Sequence, residues 1–151
     1  EILQAMATPM IGHRTGAYAD LHKSVEEKVK KLLNTEGRVM LFTSSSTGVM
    51  EGVVRNCVGK KVLHTLNGEF SRRWFEISKS NGLPAETVEV EPGKAITPEL
   101  VDAKLAEGGF DTLCLTMNET STGIISPIAD ISIFLACLSG PDVPADPNCG
   151  E

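Results

Sequence analysis

Between residues 38 and 117 the sequence repeats one arrangement: a short apolar run, a polar turn, then a longer segment with helical periodicity. The runs are RVMLFT (38–43), KVLHTL (61–66), ETVEVE (86–91) and DTLCLTM (111–117). Each is too short for a helix and reads as a strand. Between them, a helix over about 47–57 carries Val49, Val53 and Val54 on its buried face. A second, opened by NGEF, places Phe70, Trp74 and Ile77 on one side. A third spans 97–109, with Thr97 as N-cap, Pro98 first in the helix and Glu99 in its first turn. Strands alternating with helices imply βαβ units, hence an α/β fold with a mainly parallel sheet and helices on both faces.

Upstream, a short helix over about 1–6 leads into a loop carrying Pro9, Gly12 and Gly16. A long amphipathic helix follows, because Tyr18, Leu21, Val25, Val29, Leu32 and Leu33 recur at three- and four-residue spacing. Gly37 in NTEG is the expected breaker. At the far end the apolar ISIFLACLSG and the Pro-, Gly- and acid-rich PDVPADPNCGE break the rhythm, and the latter is expected to be disordered.

Composition narrows the function. At 151 residues the chain is long enough for one domain with a real core. The net charge of −6, with no basic block, argues against nucleic-acid binding as the main task. No apolar run approaches the roughly 20 residues of a membrane span, and the start has no signal-peptide core. Cys57, Cys114, Cys137 and Cys149 form no CxxC, and His13, His22 and His64 give no zinc spacing. A reducing, cytoplasmic setting is expected. The chain opens on Glu1 rather than Met, so it is expected to begin inside a longer protein.

Chemistry in an open α/β sheet sits outside the carboxyl ends of the strands. Three runs end in polar turns, TSSSTG after 43, NGEF after 66 and NETSTG after 117, and in a parallel sheet all three open on one edge. Free N–H groups at a helix start, with the hydroxyls of Ser45, Ser46 and Thr47, suit a phosphate; plain helix capping is the alternative. Phe70 could cover an aromatic ligand or simply fill core, and for Trp74 core is the stronger reading. Asn118, Glu119 and Thr120 offer hydrogen-bonding groups at the edge, and Gly123 permits a tight turn. Arg14 in GHRT either grips a carboxylate or phosphate or is an ordinary surface arginine.

Taken together, GHRTGAYADLHKSVEEKVKKLL, LFTSSSTGVMEGVVRN, VLHTLNGEFSRRW and MNETSTGIISPI resemble successive landmarks of class V aminotransferases. These are fold-type I enzymes that use pyridoxal 5′-phosphate, and the alanine–glyoxylate and serine–pyruvate group is the nearest in kind. The resemblance covers about 1–132, with 133–151 a divergent tail, and implies an incomplete three-layer sandwich from the cofactor-binding large domain. It implies that Ser45, Ser46 and Thr47 bind the cofactor phosphate, although relatives commonly have glycine where Ser46 stands. Phe70 corresponds to the aromatic residue stacked on the pyridine ring and Thr120 to the hydroxyl beside its O3′ edge. His13 and Arg14 correspond to a segment near the substrate entrance.

By the same resemblance, the parent enzyme is a homodimer passing an amino group from a small amino acid to a 2-oxo acid. Other class V activities, such as phosphoserine transaminase, kynureninase or cysteine desulfurase, share the scaffold. A non-catalytic phosphate-binding module is the alternative of a different kind. The family's aspartate at the pyridine nitrogen and its cofactor-binding lysine both follow the equivalent of residue 132. Neither motif occurs here: Asp142 and Asp146 stand in the divergent tail, and no lysine follows Lys104. The chain alone is therefore expected to be inactive. A truncated or shifted reading frame would produce such a tail, which resequencing the source locus would test.

Overall fold

The computed structural model describes residues 1–131; the tail expected over 133–151 lies outside the described residues. The chain divides into two compact units, Glu1–Thr43 and a second from Ser44 onward.

The first unit holds helices α1 (Ile2–Met6) and α2 (Gly16–Leu33). Thr15 starts α2: its backbone is extended, and its hydroxyl accepts the N–H of Tyr18 at 3.3 Å. The helix ends earlier than Gly37. Asn34 takes the left-handed conformation at φ 48°, and the Thr35 N–H reaches back to the Lys30 carbonyl at 3.1 Å. Asparagine is among the few residues that tolerate that conformation, so it serves as the C-cap glycine would. The predicted stripe is present along α2, but no residue of the unit is buried; Leu32 is 82% exposed.

RVMLFT is not a strand. Residues 38–43 join no ladder among the described residues, and Met40, Leu41 and Phe42 are exposed. An apolar extended segment becomes a strand only where a neighbour takes its N–H and C=O groups, and this unit has only helices to offer.

The second unit is a layered α/β structure. Helix α3 (Ser46–Cys57) is followed by β1 (Val62–Leu66), α4 (Glu69–Ser80), β2 (Ala85–Glu89), α5 (Pro98–Leu105) and β3 (Thr112–Cys114). The strands form a parallel sheet in the order β2-β1-β3, with Val62 opposite Ala85 on one side and Thr112 on the other. Central β1 is buried along its whole length, as a parallel strand covered on both faces must be. One face carries Leu63, Ile96, Val101 and Ile131, packed with Leu105 and Leu113. The other packs Val54, Val62 and Cys114 against Trp74, Ile77 and Leu83. So α5 covers one face while α3 and α4 cover the other, and each fully buried aliphatic side chain contributes about 1.5–3 kcal/mol.

Two elements end earlier than their sequence pattern. Helix α5 stops at Leu105, ahead of Gly108 and Gly109, both at positive φ. Strand β3 leaves the ladder after Cys114, and the chain folds into a two-strand antiparallel hairpin of β4 (Asn118–Glu119) and β5 (Ile124–Ile125). The hairpin closes through Gly123, whose N–H donates to the Glu119 carbonyl at 2.9 Å and whose φ is 72°, a conformation natural to glycine.

Candidate functional site

The strand order reverses about β1: the chain steps to one side for β2 and returns across it for β3. The rim between the carboxyl ends of β1 and β3 is thus a switch point, where open α/β sheets take ligands. Two of the three polar turns meet there. NGEF leaves β1 and becomes the start of α4; NETSTG follows β3 as the hairpin.

What joins them is Glu119. Its side chain is fully buried and accepts the N–H of Ser71 at 2.9 Å and of Phe70 at 3.3 Å, both in the first turn of α4. The Ser121 hydroxyl donates to it at 2.6 Å and the Ser121 N–H at 3.3 Å. Ser121 also accepts the N–H of Glu69 at 3.0 Å. Burial on its own pushes this carboxyl upward. The Ser121 hydroxyl and the N–H groups of Ser71, Phe70 and Ser121 outweigh it, and hold the group below the usual carboxylate range. A buried carboxylate thus supplies the negative charge that a helix start favours.

Gly68 makes room for this. Its backbone is extended, but a Cβ there would collide with Glu119 Cγ and lie 2.6 Å from Glu119 Cδ. Further ties close the junction. The Thr122 hydroxyl donates to the Asn67 carbonyl at 3.3 Å, and the Asn67 amide donates to the buried Ser126 hydroxyl at 3.3 Å.

The third turn behaves differently. Ser45 is the N-cap of α3, but its hydroxyl makes no capping bond. Ser45 and Ser46 are exposed and Thr47 is half-buried. Among the described residues none of their three hydroxyls has an intramolecular hydrogen-bond partner, whereas Ser44 donates to the Ser45 carbonyl at 2.8 Å. Of these two helix starts, that of α4 is satisfied by a carboxylate of the chain itself and that of α3 offers unused donors.

The predicted residues fall into three places. Phe70 is half-buried in the first turn of α4, with the Arg73 guanidinium 5.3 Å from its ring centre, a cation–π arrangement. Thr120 is exposed on the hairpin next to Glu119, so the two turns are held together through that carboxylate. Ser45, Ser46 and Thr47 stand at the start of α3, which packs against α4 through Val54, Trp74 and Ile77. His13 and Arg14 are exposed in the first unit, in a turn closed by the Thr15 N–H to the Gly12 carbonyl at 3.0 Å. Glu119 was legible only as an edge hydrogen-bonding group, and nothing in the sequence marked Ser121 and Gly68 as its supports. The available signal was an acidic residue two positions before a serine, at a strand end facing a glycine-started helix.

Other titratable groups read as structural. His64 is buried, its Nε2 is 2.9 Å from the Ser78 hydroxyl, and burial pushes the imidazole down to about 4. Burial, aided by Cys57, pushes the Cys114 thiol up to about 12, which leaves it unreactive. Among the described residues no group of three or more His, Cys, Asp or Glu could hold a metal ion. No described helix is long and apolar enough to cross a membrane.

Comparison with known proteins agrees with the α/β fold. An uncharacterized aminotransferase of Methanocaldococcus jannaschii is 38% identical over 134 residues, covering 87% of this chain and 35% of the relative. The serine–glyoxylate aminotransferase of Methylorubrum extorquens is 32% identical over 136 residues, covering 86% of this chain and 34% of the relative. The crystal structure of an aspartate aminotransferase from Thermus thermophilus superposes with a TM-score of 0.79 at 32% identity, covering 87% of this chain and 37% of that one. The chain thus spans about a third of the length of the proteins it matches. The family model for aminotransferase class-V matches residues 3–136, and this chain, with its parallel sheet, belongs to that family.

Proposed function

We propose that this chain supplies the phosphate-binding and ring-facing part of a pyridoxal 5′-phosphate-dependent transaminase. The carrying observation is the unspent start of α3: three hydroxyls without partners in the described protein, at the head of a 12-residue helix. Hydroxyls and free N–H groups so placed fit a phosphate. The α4 start does not fit one, because Glu119 already occupies it.

In this reading Ser45, Ser46 and Thr47 hold the phosphate, Phe70 covers one face of the ring and sheds water from it, and Thr120 hydrogen-bonds the O3′ edge. When bound, pyridoxal 5′-phosphate supplies an electron sink for the amino-acid α-carbon. The whole protein passes an amino group from a small amino acid, of the alanine or serine type, to a 2-oxo acid such as glyoxylate or pyruvate. The relative named for serine and glyoxylate supports that choice. His13 and Arg14 are assigned to the substrate carboxylate or phosphate side. The exposed apolar residues of the first unit, among them Met10, Leu32 and Met40, are assigned to packing in the longer protein, a homodimer working in the cytoplasm. With no lysine after Lys104, the chain alone is expected to bind without turnover.

The test uses pyridoxamine 5′-phosphate, whose amine forms no adduct with surface lysines, against pyridoxamine, with calorimetry on the purified chain. The phosphate is expected to raise affinity by at least about tenfold. Ser45→Ala with Thr47→Ala should erase that difference. Equal affinity of the two ligands in the unaltered chain sinks the reading; binding of inorganic phosphate without any preference for the ring favours a phosphate module instead.

A further inference from the structure

Glu119 touches neither ring nor phosphate in the assignment above, yet it connects the residues that would. Its Oε1 accepts the N–H of Phe70 itself, its backbone adjoins Thr120, and both oxygens are spent on α4 and Ser121. We infer that Glu119 is a positioning residue: a buried carboxylate latch that fixes the ring-covering Phe70 and the edge-binding Thr120 in one geometry. Gly68 and Ser121 are its supports. The inference rests on the cofactor reading of this rim.

Three features carry it beyond ordinary capping. The capping group comes from about fifty residues away, so it joins two chain segments rather than finishing one helix. Ser71, at the third position of α4, already serves the local end: its hydroxyl accepts the N–H groups of Asn67 and Gly68, both at 3.1 Å. Ser71 therefore serves only the residues ahead of the helix, and among the described residues the N–H groups of Phe70 and Ser71 themselves are met by Glu119 alone. And Gly68 is shaped to the carboxylate, since any Cβ there displaces it. The latch also sets a division between the two helix starts. A buried charge on α4 closes that helix start to a phosphate, because two anions at one helix start repel, and the α3 start stays open.

The experiment compares the unaltered 151-residue chain with Glu119→Gln, Glu119→Asp and Ser121→Ala. Amide hydrogen exchange is measured at Phe70, Ser71 and Ser121, and affinity is measured for pyridoxamine 5′-phosphate and for inorganic phosphate. In Glu119→Gln, exchange at those amides should accelerate by about tenfold or more, since an amide can offer only one acceptor oxygen. Affinity for pyridoxamine 5′-phosphate should fall by about tenfold, while that for inorganic phosphate stays within about twofold. Ser121→Ala should shift both readouts the same way by less. If Glu119→Gln does not fold, Glu119→Asp, which keeps the charge but shortens its reach, carries the test.

Faster exchange with undiminished pyridoxamine 5′-phosphate affinity overturns the inference, leaving a clamp that positions nothing for the ligand. Equal loss of both ligands overturns it too, since general loosening does that. If the unaltered chain binds neither ligand, the cofactor reading itself has failed and takes the latch's role with it, a result distinct from either of the others.

Discussion

The starts of α3 and α4 are built from similar residues and put to opposite uses. Both are the heads of 12-residue helices that follow a serine- or glycine-containing turn, and both pack on the same face of the sheet. At α4 every donor in the first turn is claimed, by Glu119 for Phe70 and Ser71 and by the Ser121 hydroxyl for Glu69. At α3 the side chains best suited to capping, Ser45, Ser46 and Thr47, are unengaged among the described residues. A helix start that spends its donors internally gains stability and gives up ligand binding; one that keeps them does the reverse. The difference teaches which of the two should respond to a ligand and which to a destabilising mutation.

Removing the carboxylate should break the comparison most strongly. Glu119→Ala orphans buried N–H groups in α4 and is expected to cost about 3 kcal/mol. Ser45→Ala should cost under about 1 kcal/mol, because it removes no internal bond. Urea titrations of both variants measure the gap; similar losses would mean that α3 also depends on its hydroxyls for stability.

Acid should act on the α4 side in two stages. His64 on β1 faces Trp74, Phe75 and Ser78 of α4. Its folded-state pKa near 4 lies below the ordinary 6.5, so the unfolded chain takes up the proton first. Its contribution is complete above 6.5 and declines as pH falls towards 4, by about 3 kcal/mol in all. Glu119, held below the carboxylate range, follows at lower pH, where protonation of the folded form removes what the charged latch contributes. Urea midpoints across pH 3–8 should show the first decline vanish in His64→Gln, while the second remains.

The glycines sharpen the contrast further. Gly68→Ala forces Glu119 aside and should cost about 2 kcal/mol, through overpacking of a filled site. Gly52, inside α3, has open space where a Cβ would stand, and Gly52→Ala should stabilise by up to about 1 kcal/mol through helix propensity. Thermal melts of the pair should therefore move in opposite directions. Shifts of the same sign would show that the α4 junction is looser than its contacts indicate.

Much of this fold was legible because its signals are local. Val62–Leu66, Ala85–Glu89 and the three helices of the second unit follow from apolar periodicity and from Thr97 and Pro98 at a helix start. The failures share a cause. RVMLFT has the composition of a strand, but ladder bonds belong to a partner, and no strand in its unit provides one. DTLCLTM reads as one strand, yet only Thr112–Cys114 stay beside β1; Met117 already accepts the Ser126 N–H, and the next residues, Asn118 and Glu119, pair with Ile125 and Ile124. At the site, the hydroxyl triplet and Phe70 stood out as residue types, while the value of Glu119 depends on which amides it meets fifty residues away.

Periodicity and turn chemistry alone determined that this chain makes βα units with polar turns at the strand ends, since both depend on neighbours a few residues apart. The same residues carried the family likeness. Tertiary structure decided which of two comparable helix starts would be closed. A buried carboxylate needs partners for its charge, and the α4 N–H groups that Glu119 meets are within its reach only once β1 and β3 lie side by side.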